Sequence, residues 1–238
     1  MKRIGKFTID LENKPSIISS GCIVGKKESE GPLKNDFDEF NVDSLFGQDT
    51  FEQAESFLQK RALEIAISKG GLKDQSIDLI FAGDLLNQCI GSSFGLKEKN
   101  IPFVGLYGAC STMSLSLIMA SVSVSCGFAK TAAAVTSSHF CSAERQYRFP
   151  LEYGGQRTPN SQWTVTGAGA AIIGQSENKP FVNRVCVGKI VDLDIKDSNN
   201  MGAAMAPDDV KIRPYPTNEG MVFFYTQNYI MGGYKISR

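Results

Sequence analysis

The chain has 238 residues, 42% of them hydrophobic and 21% charged, which is enough apolar material for a packed core and argues against extensive disorder. Its 25 basic and 25 acidic residues cancel, so no broad field is available to hold a polyanion, and nucleic-acid binding is excluded as the main activity. Six cysteines (Cys22, Cys89, Cys110, Cys126, Cys141, Cys186) are scattered without CxxC pairs, His139 is the only histidine, and the first residues lack a secretory apolar run. A reduced, cytoplasmic setting is therefore expected, and a structural metal site is not.

The segment Ser16–Gly25 is apolar and β-branched, stops at glycine, and predicts a buried strand. A charged connector, Lys26–Ser44, follows. Asp49, with Glu52 three residues on, predicts a capped helix beginning near Thr50. In that helix Phe51, Ala54, Leu58, Ala62 and Ile65 recur every three or four residues, and Gly70 and Gly71 end it. Such a stripe must cover a sheet.

Two further buried strands are predicted at Ile77–Ala82 and Pro102–Tyr107, each running into small residues, and a helix at Met113–Cys126. The stretch Ile101–Ala129 carries no charge and is long enough for a membrane span, but its serines and internal glycine turn favour a buried strand followed by a buried helix. Thr131–Ser137 reads as a fourth strand, followed by a polar loop holding Glu144, Arg145, Arg148, Glu152 and Tyr153, whose length suits a site or contact loop. Thr164–Ile173 and Arg184–Leu193 read as two more strands, expected to pair antiparallel.

Strands alternating with helices predict an α/β layer with a mostly parallel sheet flanked by helices. Ligands of such sheets sit at the carboxyl ends of the strands. Asp84, Cys110, and Ser138 with His139 each follow a predicted strand, and they are the candidates to converge on one pocket.

Cys110 lies where a strand meets the start of a helix, and there unpaired N–H groups and the helix dipole favour an anion. The same geometry serves a thiolate nucleophile or a ligand carboxylate, and the competing reading is an inert core cysteine. His139 is either the base such a nucleophile needs or a hydrogen-bond donor to carboxylate or backbone. Asp84 either orients neighbouring donors or caps the next helix. Arg145 and Arg148 offer guanidinium groups to an anion, against the commoner outcome of solvated surface charge.

The string GACST (residues 108–112) resembles the nucleophile turn of thiolases and ketoacyl synthases, and more specific strings surround it. SEGPL (29–33), AGDLLNQ (82–88), SSH (137–139), AERQ (143–146), EYGGQ (152–156) and MGAAMAP (201–207) resemble, in order and spacing, the stage V sporulation protein AD family. The resemblance covers roughly residues 5–207, so a thiolase-like N-terminal domain is expected over 1–207 and a divergent tail over 208–238. After Pro207 nothing resembles the family's second half, which is expected to be largely missing from this chain, leaving an apolar face that favours association.

The resemblance implies a non-catalytic protein that binds dipicolinic acid, or its calcium chelate, for uptake into the developing spore and for release in germination. It further implies no cofactor, other stage V sporulation A-operon proteins as partners at the spore inner membrane, peripheral association there, and a homodimer. The ligand-binding candidates are Asp84, Cys110, Ser138, His139 and Arg145. Two alternatives stand beside this reading. One is a thiolase-like acyltransferase with Cys110 as nucleophile and His139 as base; the other is an inactive truncated fragment.

Overall fold

The structure, a computed structural model, describes residues 1–142, 164–188 and 221–225. In chain order the elements are β1 (Lys2–Arg3), β2 (Thr8–Asp10), β3 (Ser16–Val24), α1 (Lys26–Ser29), β4 (Glu39–Phe40), α2 (Phe51–Lys69) and β5 (Leu79–Gly83). Then come α3 (Ile90–Leu96), β6 (Phe103–Gly105), α4 (Thr112–Ser125), β7 (Ala132–Ser138), β8 (Gly167–Gly174), β9 (Val182–Val187) and β10 (Met221–Tyr225).

Six strands form the main sheet in the order β4-β3-β8-β7-β5-β6. The β3–β4, β5–β7 and β5–β6 pairs are parallel, and only β8 runs against its neighbours. The expected mostly parallel sheet flanked by helices is thus present. Both of its faces are covered, so its central strands alternate between two cores rather than between core and water. Ile80, Ala82, Ala133, Val135, Ala170 and Ile172 pack toward α2, while Leu79, Phe81, Ala132, Ala134, Ala171 and Ile173 pack toward α4.

Helix α2 meets the sheet through the predicted stripe, with Ala54, Leu58 and Ala62 fully buried. Burying Leu58 contributes about 1.5–3 kcal/mol relative to exposure. The helix can lie this close because β3 carries Gly21, where a Cβ would stand 2.5 Å from the Ala66 nitrogen. Its capping differs from expectation by one residue. Thr50, not Asp49, is the N-cap and accepts from the Gln53 N–H, while Gln53 Oε1 accepts from the Asp49 N–H. Thr50 and Gln53 have the spacing of the capping pattern, as Asp49 and Glu52 do, but Gln53 reaches back one residue past the cap to the Asp49 N–H.

Helix α4 explains the uncharged stretch. Leu117, Ala120 and Val124 face the main sheet, and Ile118, with Leu115 and Val122, faces Leu11, Val182 and Val185 of a second layer. That layer is a four-stranded sheet, β1-β2-β9-β10. A helix enclosed on two sides has no face for a charge. Among the described residues, no helix is long and apolar enough to cross a membrane.

Several expectations change. β8 and β9 do not pair: β9 leaves the main sheet to run antiparallel to β2 and parallel to β10, because its Val182 and Val185 fill the second core beneath α4. β6 is an exposed edge of three residues rather than a buried strand, since nothing among the described residues pairs beyond it. The connector 26–44 contains α1 and β4, which were not anticipated. The predicted loop with Glu144, Arg145, Arg148, Glu152 and Tyr153 lies outside the described residues, as does the expected domain boundary after Pro207.

Candidate functional site

Because β7, β5 and β6 run parallel and side by side, the segments that leave their carboxyl ends meet at one edge of the sheet. Asp84 follows β5, Cys110 follows β6, Ser138 ends β7 and His139 follows it. The topology therefore brings these four predicted residues to one rim, and Arg145 lies outside the described residues.

Asp84 is 1% exposed. Its Oδ1 accepts from the Leu86 N–H at 2.9 Å, and its Oδ2 accepts from the Ser92 N–H at 2.7 Å and from the Ser92 hydroxyl. Asp84 thus both caps the first turn of α3 from a distance and fixes the bend between β5 and α3. Within that bend Gln88 and Cys89 adopt left-handed backbone conformations, with φ of 55° and 52°. Two such residues in succession are costly without glycine and persist only where neighbours hold them. Gly83 lets the adjoining chain approach, because a Cβ there would collide with the Leu106 carbonyl.

The cysteine turn is strained in the same way. Ala109 has φ 47°, the Ser111 hydroxyl donates to the Gly108 carbonyl, and Thr112 Oγ1 donates to the Ala109 carbonyl at 2.7 Å. This tight 108–112 turn lifts Cys110 to an exposed position at the start of α4, where its side chain makes no hydrogen bond among the described residues. Beside it, Tyr107 is half exposed, and burial pushes its hydroxyl up, helped by the charge of Asp84 and by Cys89. Burial likewise pushes the Cys89 thiol up, with Asp84 adding to the effect.

His139 is completely buried, between the rings of Phe51 and Phe140, each 5.2 Å away between centroids. Its Nδ1 accepts from the Cys141 N–H at 3.2 Å, which puts the ring hydrogen on Nε2 for donation to the Ser44 carbonyl at 2.7 Å. Both ring nitrogens are thereby occupied by backbone groups, and none of these bonds reaches Cys110. Ser138 keeps a buried Oγ without a partner among the described residues.

Behind the rim lies a polar chain that the sequence reading did not single out. Gln59 Nε2 lies 2.9 Å from the Gly83 carbonyl, 2.8 Å from Ser92 Oγ and 3.0 Å from Ser137 Oγ. Ser137 then donates to Glu55 Oε1 at 3.0 Å, and Ser142 donates to Glu55 Oε2 at 2.6 Å. Asp84 and Glu55, both buried, are the two acidic ends of this chain. Burial pushes the Glu55 carboxyl up to about 7, the Asp84 charge adds to that, and the hydrogen bonds from Ser142, Ser137 and the Leu85 N–H oppose it. The spacing held the signal: Glu55 and Gln59 are four apart and directly follow Ala54 and Leu58, so the buried arc of α2 includes both. Among the described residues, no three His, Cys, Asp or Glu side chains gather to hold a metal ion.

The Stage V sporulation protein AD (SpoVAD) family matches residues 5–214. Stage V sporulation protein AD of Bacillus subtilis (strain 168) is 42% identical over 207 residues, which are 87% of this chain and 61% of that protein. The chain thus spans less than two thirds of the length of this relative. Among solved structures, 3-oxoacyl-[acyl-carrier-protein] synthase III from Aquifex aeolicus VF5 is 18% identical with a TM-score of 0.46, over 69% of this chain and 55% of that one. OleA from Xanthomonas campestris is 14% identical with a TM-score of 0.46, over 68% of this chain and 56% of its own. With the family match spanning most of the chain and the Bacillus relative agreeing with it, the chain belongs to the stage V sporulation protein AD family.

Proposed function

We propose that the chain is a non-catalytic binding protein for dipicolinic acid, alone or as its calcium chelate, and that it serves uptake of this ligand into the developing spore and its release in germination. The observation that carries the reading is the separation of Cys110 from His139: Cys110 is exposed and makes no side-chain hydrogen bond among the described residues, while both nitrogens of the only histidine are bound to backbone groups. The acyltransferase alternative assigns His139 as the base for Cys110 and so needs that ring within hydrogen-bond reach of the thiol, whereas a carboxylate ligand needs only oriented donors. The 108–112 turn opens the amino end of α4, Ser138 brings a hydroxyl to the same rim, and Tyr107 offers a half-exposed ring for a planar aromatic ligand. Calcium enters as part of the ligand, and Arg145 is proposed as a further anion contact.

The remaining inherited features are proposals of the same standing. The other stage V sporulation A-operon proteins would be partners at the spore inner membrane, with the chain held there peripherally. A homodimer would use the exposed edge strand β6, whose outer side has no pairing partner among the described residues.

Calorimetric titration with dipicolinic acid, with and without calcium, tests the reading beside a Cys110→Ala variant. Saturable heat that is weakened in the variant supports the pocket at Cys110; saturable heat unchanged in the variant moves the pocket away from Cys110, and no heat from a demonstrably folded chain sinks the reading and favours the inactive fragment. The acyltransferase alternative predicts a covalent adduct at Cys110 after incubation with acyl-coenzyme A, visible by mass spectrometry.

A further inference from the structure

The polar chain behind the rim has two consistent arrangements of its hydrogens. Ser142 Oγ stands 2.6 Å from Glu55 Oε2 and 3.2 Å from the His139 carbonyl oxygen, so its single hydrogen has two acceptors. Ser137 Oγ accepts from Gln59 and gives its own hydrogen to Glu55 Oε1. When Glu55 is ionised, it takes the hydrogens of both serines. When Glu55 carries a proton on Oε2, Ser142 Oγ is the acceptor at the same 2.6 Å, and the Ser142 hydrogen turns to the His139 carbonyl. Every hydrogen has a partner in either state.

The surroundings set which state is populated. Glu55 is 0% exposed, Ser142 2% and Ser137 8%, so water does not stabilise the carboxylate charge. From the β5–α3 bend Asp84 presents a like charge and Leu85 a backbone N–H that favours the ionised form; α3 presents the uncharged Ser92, and β7 presents Ser137. The turn after β7 brings Ser142 and the His139 ring, the latter bound to Ser44 and Cys141, and α2 itself brings Gln59. Burial and Asp84 therefore favour the protonated acid, with the balance near neutral pH.

We propose that Glu55 is a proton-operated latch on residues 139–142: on gaining a proton from solvent it donates to Ser142 and sends the Ser142 hydrogen to the His139 carbonyl, and on losing that proton it takes the hydrogen back. The latch joins α2 to the segment that carries Ser138 and His139 at the rim, so the hydrogen bonding of that segment follows the proton on Glu55. It requires no ligand and holds whether or not dipicolinic acid binds.

Because His139 is the only histidine, labelling histidine with carbon-13 at its carbonyl gives one resonance that reports the bond in question. With glutamate side chains labelled as well, NMR of the whole chain is followed from roughly pH 5 to 9. One glutamate carboxyl and the His139 carbonyl should move together with a midpoint near 7. In Glu55→Gln both steps should disappear. In Ser142→Ala the carboxyl step should remain while the carbonyl no longer follows it, and this variant keeps the test decisive if Glu55→Gln does not fold. A carbonyl step that persists in either variant, or the absence of any glutamate titrating above the ordinary carboxylate range, overturns the proposal.

Discussion

Glu55 Oε2 and Ser142 Oγ lie 2.6 Å apart although 87 residues separate them in the chain. The bond ties α2 to the turn after β7, across the rim where the strand ends meet. Its acceptor is a carboxyl that burial raises from 4.5 to about 7. The folded chain therefore binds this proton more tightly than the unfolded chain does.

Stability should follow with a definite sign. The contribution of Glu55 is fully present below its unfolded value of 4.5 and is lost as pH rises through about 7. The loss is on the order of 3 kcal/mol, from about 1.4 kcal/mol per unit of pKa. Urea unfolding across this window should show the decline in the native chain and a flatter profile in Glu55→Gln. A native profile that rises between these values would contradict the assignment.

Gly21 should be irreplaceable where Gly169 is not. A Cβ at Gly21 would lie 2.5 Å from the Ala66 nitrogen and 2.7 Å from the Ala62 carbonyl, so Gly21→Ala must push α2 off the sheet. We expect a loss of about 1–3 kcal/mol. At Gly169, on the neighbouring strand β8, a Cβ meets nothing within 4 Å, and Gly169→Ala should change stability by less than about 0.5 kcal/mol. Thermal unfolding of the two variants side by side checks the contrast.

The thiols should react in an order set by exposure. Cys110 and Cys126 are exposed, whereas Cys89 is buried and burial raises its thiol. Brief alkylation at neutral pH followed by peptide mapping should mark Cys110 and Cys126 well before Cys89. Equal rates at Cys89 and Cys110 would mean that the bend after β5 is open. Under the binding reading, alkylation at Cys110 should also reduce the heat of dipicolinate titration.

The edge strand gives a test of association. Phe103 and Val104 of β6 are 38% and 39% exposed. If the proposed dimer forms there, Val104→Lys should lower the mass seen by light scattering to that of one chain, because a charge on an edge strand opposes pairing. An unchanged dimer would move the interface elsewhere.

Much of the architecture was legible from residue order. The apolar stripe of α2 and its glycine stop, the extent of β3 and β7, and the uncharged α4 follow from periodicity and local backbone preference, which neighbouring residues determine. The placement of Asp84, Cys110 and His139 after successive strands was legible for the same reason, although Ser138 is the last residue of its strand and not past it.

Pairing and partnership were not. β9 resembles any apolar strand, and only the second core beneath α4 drew Val182 and Val185 away from β8. His139 reads equally well as a base or a structural donor until Ser44, distant in sequence, takes its ring hydrogen. Glu55 and Gln59 look like solvated helix residues until Asp84, Ser92, Ser137 and Ser142 close around them. Residue order marked most of the longer elements and the chemistry each could offer; which groups lost water, and which partners replaced it, followed from contacts between distant parts of the chain, on which desolvation and hydrogen bonding depend.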